Sequence, residues 1–143
     1  MQHAGMKPRH AFSDTADSQA ARGAARPRLE RFGVLATLLV LVAILIGTLT
    51  PPEDMPSDVP GSDKLHHFLA FAAFVLPLTL LRPGRWVWLV PLAALLGVAI
   101  ELVQPYFGRE RAVGDMIANA LGAGFGALLA RLLHRPALRL LRR

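Results

Sequence analysis

The sequence predicts an all-α protein, a membrane-embedded bundle of four transmembrane helices with both termini in the cytoplasm. Hydrophobic residues make up 53% of the 143 residues, and they come in four long runs rather than in the short alternation of strands. The 16 Lys and Arg residues, which give a net charge of +6, concentrate in the tails and in short turns. This distribution is typical of a protein in a lipid bilayer, and it argues against a nucleic-acid partner.

Four apolar runs define the predicted spans, taken in chain order. The first, Phe32 to Thr50, has 19 residues without a charge and reaches roughly 28 Å at 1.5 Å per residue, enough for a hydrocarbon core. The second runs from Ser62 to Leu81 and contains Pro77, which transmembrane helices tolerate as a kink. The third runs from Trp86 to Phe107 with aromatic residues at both ends, and the fourth from Val113 to Leu133.

The basic residues between the spans predict the orientation. With both termini inside, thirteen Lys and Arg residues fall on the cytoplasmic side and two in outer loops, while Lys64 lies at an outer helix start. The loop 51–61 has no basic residue and carries three acids. The positive-inside rule therefore predicts a multi-pass protein of the inner (cytoplasmic) membrane with cytoplasmic termini.

The spans divide the chain into three predicted segments. Residues 1–31 are interpreted as a disordered basic cytoplasmic tail, because they are rich in Ala, Arg, Ser, Asp and Gly and show no helical apolar stripe. Residues 32–133 form the four-helix transmembrane domain. Residues 134–143 form a second basic cytoplasmic tail, in which Leu alternates with Arg as in a segment lying on the inner surface.

Polar side chains interrupt the apolar runs, and the topology places them together at the outer face. They lie near the start of the second and fourth spans, near the end of the third, and in the turn between. On each of these three spans the two polar residues are three or four positions apart, which places them on one face of the helix. The pairs are Asp63 and His67, Glu101 and Gln104, and Asp115 and Asn119. A charge at membrane depth costs about 2.5–3.5 kcal/mol, so the clustering indicates a site. Its members are Asp63, Lys64, His67, Glu101, Gln104, Arg109, Asp115 and Asn119.

The fourth span also carries a stripe of small residues, each four apart. The stripe consists of Ala118, Gly122, Gly126 and Ala130. Such small-xxx-small patterns let a neighbouring helix approach closely. We expect the stripe to pack within the bundle, while a homo-oligomer stays an open alternative.

Two blocks of residues resemble a known family. The stretch Asp63-Lys64-Leu65-His66-His67-Phe68 resembles the Asp-Lys-x-x-His-Phe motif of the VanZ-like family of small membrane proteins. The second block of that family is a Glu and a Gln, a loop Arg, and then Asp-x-x-x-Asn-x-x-Gly-x-x-x-Gly. In this chain it corresponds to Glu101, Gln104, Arg109, Asp115, Asn119, Gly122 and Gly126, with Arg111 as the other candidate for the loop arginine.

The resemblance covers about residues 32–133 and implies an integral membrane protein of the bacterial envelope. The family's founding name is tied to glycopeptide resistance, and most members have no established biochemical activity. The resemblance therefore implies a fold and a site but no reaction.

Two functions of different class follow from the polar cluster. In the first, the site binds or acts on an anionic lipid or a lipid-linked envelope precursor, with Arg109, Lys64 and His67 pairing with phosphate oxygens. His67, Glu101 and Asp115 are then the candidate catalytic acids and bases, and whether the protein is an enzyme is left open. In the second, the cluster only locks the helices of a non-catalytic structural or interaction protein.

Other interpretations are weaker. There is no cysteine and no regular metal-ligand motif, so we expect neither a cofactor nor a metal. A divalent-ion site of Asp63, His67, Glu101 and Asp115 is the minor alternative, and a transporter would require a dimer. For single residues, Asp63 can serve as a helix cap, and Glu101 can form a structural ion pair with Arg109 or His67.

Overall fold

The computed structural model describes residues 10–54 and 62–140 and is helical, with no strand in those two ranges. The four helices are α1 (His10–Leu49), α2 (Asp63–Leu81), α3 (Trp86–Val103) and α4 (Val113–Leu140). Short 3₁₀ helices occupy Pro52–Asp54, Pro83–Arg85 and Gln104–Phe107.

The fold class and the four spans are confirmed. Four stretches, one for each helix, are long and apolar enough to cross a membrane, and the third includes the 3₁₀ helices on both sides of α3. These stretches are Leu29–Leu49, Asp63–Leu81, Pro83–Phe107 and Val113–Leu140. The protein is therefore a multi-pass membrane bundle.

The first and last helices of the chain extend beyond the predicted spans. Helix α1 begins at His10, inside the segment 1–31 that the sequence predicts to be a disordered tail. Ala and Arg, which recur there, are among the strongest helix formers. Helix α4 continues beyond Leu133 to Leu140, into the second predicted tail. Residues 1–9 and 141–143 of these tails lie outside the described residues, and the cytoplasmic assignment of both tails stays a prediction.

Local chemistry sets the helix ends that face the polar cluster. Ser62 caps α2, since its Oγ accepts a hydrogen bond from the Leu65 amide at 3.3 Å. The cap leaves the Asp63 carboxylate available to other partners. Helix α3 ends at Val103, and the following 3₁₀ turn contains Pro105, which has no N–H to continue an α-helix. Gly108, at φ 73°, closes this turn in the left-handed region.

Helices α2 and α4 form the centre of the bundle, with α1 packed mainly on α2 and α3 mainly on α4. A Cβ atom at Gly122 would lie 2.1 Å from the Phe68 carbonyl oxygen, and one at Gly126 would lie 2.3 Å from that of Ala72. The two backbones are thus in direct contact, which we call the glycine seam. Ala118 and Ala130, the other two members of the small-residue stripe, are also buried.

The core and the lipid-facing surface are both apolar. Phe71, Val75 and Ala123 are fully buried at the centre of the main hydrophobic cluster. Large apolar side chains point outward along every helix, as a surface in contact with lipid requires. Examples are Leu39, Leu69, Leu95, Leu121 and Leu128.

One end of the bundle, which we call the basic end, is held by paired polar groups. Arg82 forms an ion pair with Glu30, joining the end of α2 to α1. His134 Nδ1 donates a hydrogen bond to the Leu80 carbonyl at 2.6 Å. The Arg131 guanidinium lies 5.1 Å from the Trp86 ring centroid, within the range of a cation–π contact.

Candidate functional site

The opposite end, which we call the polar end, is formed by the first turns of α2 and α4, the end of α3 and the loop 108–112. All eight residues that the sequence singles out lie here. Five of them are buried polar side chains with exposed fractions of 4% or less: His67, Glu101, Gln104, Asp115 and Asn119. Each of these needs a partner or carries a desolvation cost.

Both ring nitrogens of His67 face polar side chains of helix α4. The Nδ1 atom lies 3.0 Å from the Asn119 amide oxygen, and Nε2 lies 3.9 Å from Asp115 Oδ2. Because an amide oxygen only accepts, the Nδ1–H of His67 donates to Asn119 Oδ1, and Nε2 faces the Asp115 carboxylate. The four-residue spacing of Asp115 and Asn119 places both on the face of α4 that meets α2.

Helix α3 reaches this group through Gly97, which sequence analysis did not single out. A Cβ atom at Gly97 would lie 2.8 Å from both Cβ and Nδ2 of Asn119. The missing side chain therefore makes the space that the Asn119 amide occupies. The available signal was its position four residues before Glu101, on the same face of α3.

Charged residues form the rim of the polar end. Arg109 Nη2 donates to Asp63 Oδ1 at 3.4 Å, and Lys64 Nζ lies 3.9 Å from Asp115 Oδ1. The side chain of Lys64 is 65% exposed and that of Arg109 only 15%. Gly114 lets Lys64 lie across the start of α4, since a Cβ there would be 2.6 Å from Lys64 Cε.

Glu101 is fully buried but lies apart from the His67 group. Its Oε2 atom accepts a hydrogen bond from the Ala112 amide at 3.0 Å, and Arg111 Nε donates to its backbone carbonyl at 3.4 Å. Among the side chains described, those of residues 29–54 and 62–140, no Lys, Arg or His forms an ion pair with Glu101. Its contacts hold the loop 108–112 against the end of α3.

Gln104 points in a different direction again. Its Nε2 atom donates to the Thr48 carbonyl at 3.1 Å, which ties the polar end to the last turn of α1. The structure therefore brings Asp63, Lys64, His67, Arg109, Asp115 and Asn119 together and leaves Glu101 and Gln104 as supports for the loop and for α1.

Two cavities meet at the polar end. The apolar groove, of about 380 Å³, lies between α1 and α2. Its walls are Val40, Ala43, Ile44, Gly47, Thr48, Ala70 and Phe71, and its polar mouth is Asp63, His66, His67 and Arg109. The polar cavity, of about 330 Å³, is lined by Asp63, Lys64, Gly108, Arg109, Glu110, Ala112 and Asp115. Asp63 and Arg109 line both cavities, whereas Arg111 lines neither.

Several buried atoms of the polar end have no hydrogen-bond partner. They are Asp115 Oδ1, Glu101 Oε1 and Asn119 Nδ2. An unpaired buried polar atom costs about 1–3 kcal/mol, and in a native protein each one calls for an explanation. Of the three residues, Asp115 lines the polar cavity, and an unpaired acceptor there beside Lys64 and Arg109 is suited to binding a polar or charged ligand.

The sequence of the chain matches a known family of proteins. The protein-family model described as VanZ/LLP1 matches residues 28–134, which is well over half of the chain and includes every residue of the polar end. Comparison with curated proteins and with solved structures finds no match.

Proposed function

The chain belongs to the VanZ/LLP1 family, as its two motif blocks indicate, and from this premise we propose that it binds an anionic amphiphile at its polar end. The ligand class is a membrane phospholipid or a lipid-linked envelope precursor. One observation carries the proposal: an apolar groove and a polar cavity meet at Asp63 and Arg109. A molecule with a charged head and a hydrocarbon chain matches that pair of cavities.

The head of the ligand fits the polar cavity. Arg109 stands at the junction with its guanidinium 3.4 Å from Asp63, and Lys64 reaches over the same cavity. A guanidinium binds phosphate oxygens through two parallel hydrogen bonds, and an ammonium adds a point charge. The 3.4 Å contact with Asp63 is long for a charge-assisted hydrogen bond, so a phosphate can compete for Arg109.

The hydrocarbon chain of the ligand fits the apolar groove. Val40 and Ile44 on α1 face Ala70 and Phe71 on α2, and a Cβ atom at Gly47 would have open space around it. Lipid tails are as apolar as the groove, so moving a chain from bilayer to groove gains little free energy. The groove therefore orients the ligand, and affinity over bulk lipid comes from the head.

The proposal includes the orientation in the inner membrane. The basic end carries Arg82, Arg85 and Arg131, and the positive-inside rule places such residues in the cytoplasm. The polar end then lies at the outer face, where lipid-linked envelope precursors are used. A reporter active only outside the membrane should be silent after Arg143 and active between Glu53 and Asp58. The reverse pattern would reject this orientation.

Two arginines of one loop give a matched test of the head site. Arg109→Gln removes the guanidinium shared by both cavities, whereas Arg111→Gln removes one that lines neither. Purified protein in nanodiscs doped with an anionic phospholipid is analysed by native mass spectrometry. We expect Arg109→Gln to retain roughly tenfold less anionic lipid, a loss of about 1.4 kcal/mol, and Arg111→Gln to retain as much as wild type. Equal retention by all three proteins contradicts the proposal.

A substitution in the groove tests the tail site separately. Gly47→Leu places a side chain in open space within the groove, so it should block a hydrocarbon chain without straining the fold. The comparison is Gly124→Leu, at a glycine that also has open space but lies outside both cavities. We expect lipid retention to fall for Gly47→Leu only, and unchanged retention would remove the groove from the site.

A further inference from the structure

We infer that Asp63, His67 and Asp115 form a binding site for a divalent transition-metal ion such as Zn²⁺ or Mn²⁺. The inference goes beyond the proposed function and does not depend on it, because the ion binds to side chains of this chain alone. The three residues come from the first two turns of α2 and the first turn of α4. Only three of the four residues considered in the sequence analysis take part, since Glu101 faces the loop instead.

The spacing of the donor atoms suits one ion. One ligand atom from each residue lies within 4.8 Å of the others, and His67 Nε2 is 3.9 Å from Asp115 Oδ2. Ligand atoms that each lie about 2.0–2.2 Å from a tetrahedrally coordinated ion are about 3.3–3.6 Å apart. The buried pair, at 3.9 Å, is close to that separation. Asp63 has to move toward the pair, which its 57% exposed side chain allows.

A buried, unpaired oxygen supports the site independently of the spacing. Asp115 lines the polar cavity with a side chain only 6% exposed, and its Oδ1 atom accepts no hydrogen bond. Lys64 Nζ, at 3.9 Å, is too far away to donate one and is largely in solvent. A cation in the cavity would satisfy the carboxylate that the protein leaves incomplete.

The hydrogen bond of His67 has the arrangement found for metal-binding histidines. A histidine ligand commonly donates its other ring N–H to an oxygen, which fixes the ring and the tautomer. Here Nδ1 donates to Asn119 Oδ1 at 3.0 Å, so Nε2 is the free ligand atom. Imidazole together with carboxylates favours Zn²⁺, Mn²⁺ or Fe²⁺ over Ca²⁺, which takes oxygen ligands only.

The position of Lys64 provides a further test of the metal site. Lys64 approaches the same carboxylate that would bind the ion, so the ammonium and the metal compete for Asp115. Removing that charge should therefore tighten metal binding. A purely structural Lys64–Asp115 ion pair would make the opposite prediction, since its loss would disturb the cluster.

The test uses Co²⁺ as a spectroscopic probe and Zn²⁺ as a competitor. The full chain is placed in nanodiscs of phosphatidylcholine alone, so that no anionic lipid is present, and the visible absorption of bound Co²⁺ is titrated. We expect one ion per chain and displacement by Zn²⁺. Asp115→Asn and His67→Ala should abolish the signal, Asn119→Ala should weaken binding roughly 10–100-fold, and Lys64→Met should strengthen it.

Matched controls come from the basic end, where the same residue types lie far from the cavity. His134→Ala and Glu30→Gln should bind Co²⁺ like wild type. If His67→Ala fails to fold, the nearly isosteric Asp115→Asn decides. Absence of a wild-type signal, or a signal that survives in Asp115→Asn, overturns the inference. When a chelator is added to the lipid-retention assay of Arg109→Gln and Arg111→Gln, that assay can fail or succeed independently of this one.

Discussion

At the basic end of the bundle Glu30 pairs with Arg82, and His134 donates to the Leu80 carbonyl, whereas at the polar end buried Glu101 and Asp115 each retain an oxygen without a hydrogen bond. Both ends use acids and histidines on neighbouring helices. The basic end uses them at partly exposed positions, in pairs that satisfy each other. The polar end buries them, and two of them, His67 and Asp115, line the apolar groove and the polar cavity. The basic end shows that helices of this bundle can be joined by polar groups that satisfy each other. Packing of the helices therefore does not require the buried, unpaired oxygens of the polar end, and buried groups of that kind commonly serve a function.

The largest effect is expected where the glycine seam supports the polar end. Gly122→Ala places a Cβ 2.1 Å from the Phe68 carbonyl oxygen, so α2 and α4 must separate next to His67 and Asn119. We expect a loss of about 3 kcal/mol in the free energy of unfolding, at the upper end of overpacking costs. Chemical unfolding in detergent measures it.

The control lies on the same helix. Gly124 has nothing within 4 Å of its Cβ position, so Gly124→Ala should be neutral or slightly stabilising through helix propensity. If both variants unfold like wild type, the seam is not tight, and the polar end is as adaptable as the basic end.

A smaller effect on stability should show whether Glu101 belongs to a buried ion pair that locks the helices. Glu101 accepts a hydrogen bond from the Ala112 amide and has no ion pair with the described side chains of residues 29–54 and 62–140. Glu101→Gln keeps an acceptor oxygen and removes a buried charge, so stability should be unchanged or higher. Glu101→Ala leaves the Ala112 N–H unpaired and should cost about 2 kcal/mol. A loss of 3–5 kcal/mol in Glu101→Gln, as for a broken buried pair, would falsify this view.

The smallest effect belongs to the basic end. The side chains of Arg82 and Glu30 are 48% and 30% exposed, and partly exposed ion pairs contribute little because water screens them. We expect Glu30→Gln to lower the free energy of unfolding by less than about 1 kcal/mol and to leave lipid retention unchanged. A larger loss than in Glu101→Ala would reverse the comparison between the two ends.

The transmembrane spans and the grouping of His67 with Asp115 and Asn119 follow from simple rules, which is why the sequence predicts them. Long apolar runs define helices, alternating direction brings the start of α2 next to the start of α4, and a spacing of four puts Asp115 and Asn119 on one face. These rules group both residues with His67, as the structure does.

Other features depend on distances that periodicity does not contain. Pro105 turns the end of α3 into a 3₁₀ helix, so that Gln104 reaches α1 while Glu101 reaches the loop. The role of Gly97 depends on how closely α3 approaches Asn119. The groove between α1 and α2 is a gap between helices, and a gap leaves no pattern in either sequence segment.

The glycine seam also has a mechanical consequence. Backbone contact at Gly122 and Gly126 leaves α2 and α4 no freedom to slide, so the bundle has one stiff half. Helix α1 forms the compliant half, because among the described residues it packs mainly on α2 and is tied by the exposed Glu30–Arg82 ion pair and by the hydrogen bond from Gln104 to the Thr48 carbonyl. We therefore expect the bundle to open by movement of α1 relative to the rigid pair of α2 and α4. The backbone amides of α1 should then exchange with solvent sooner than those of α2 and α4.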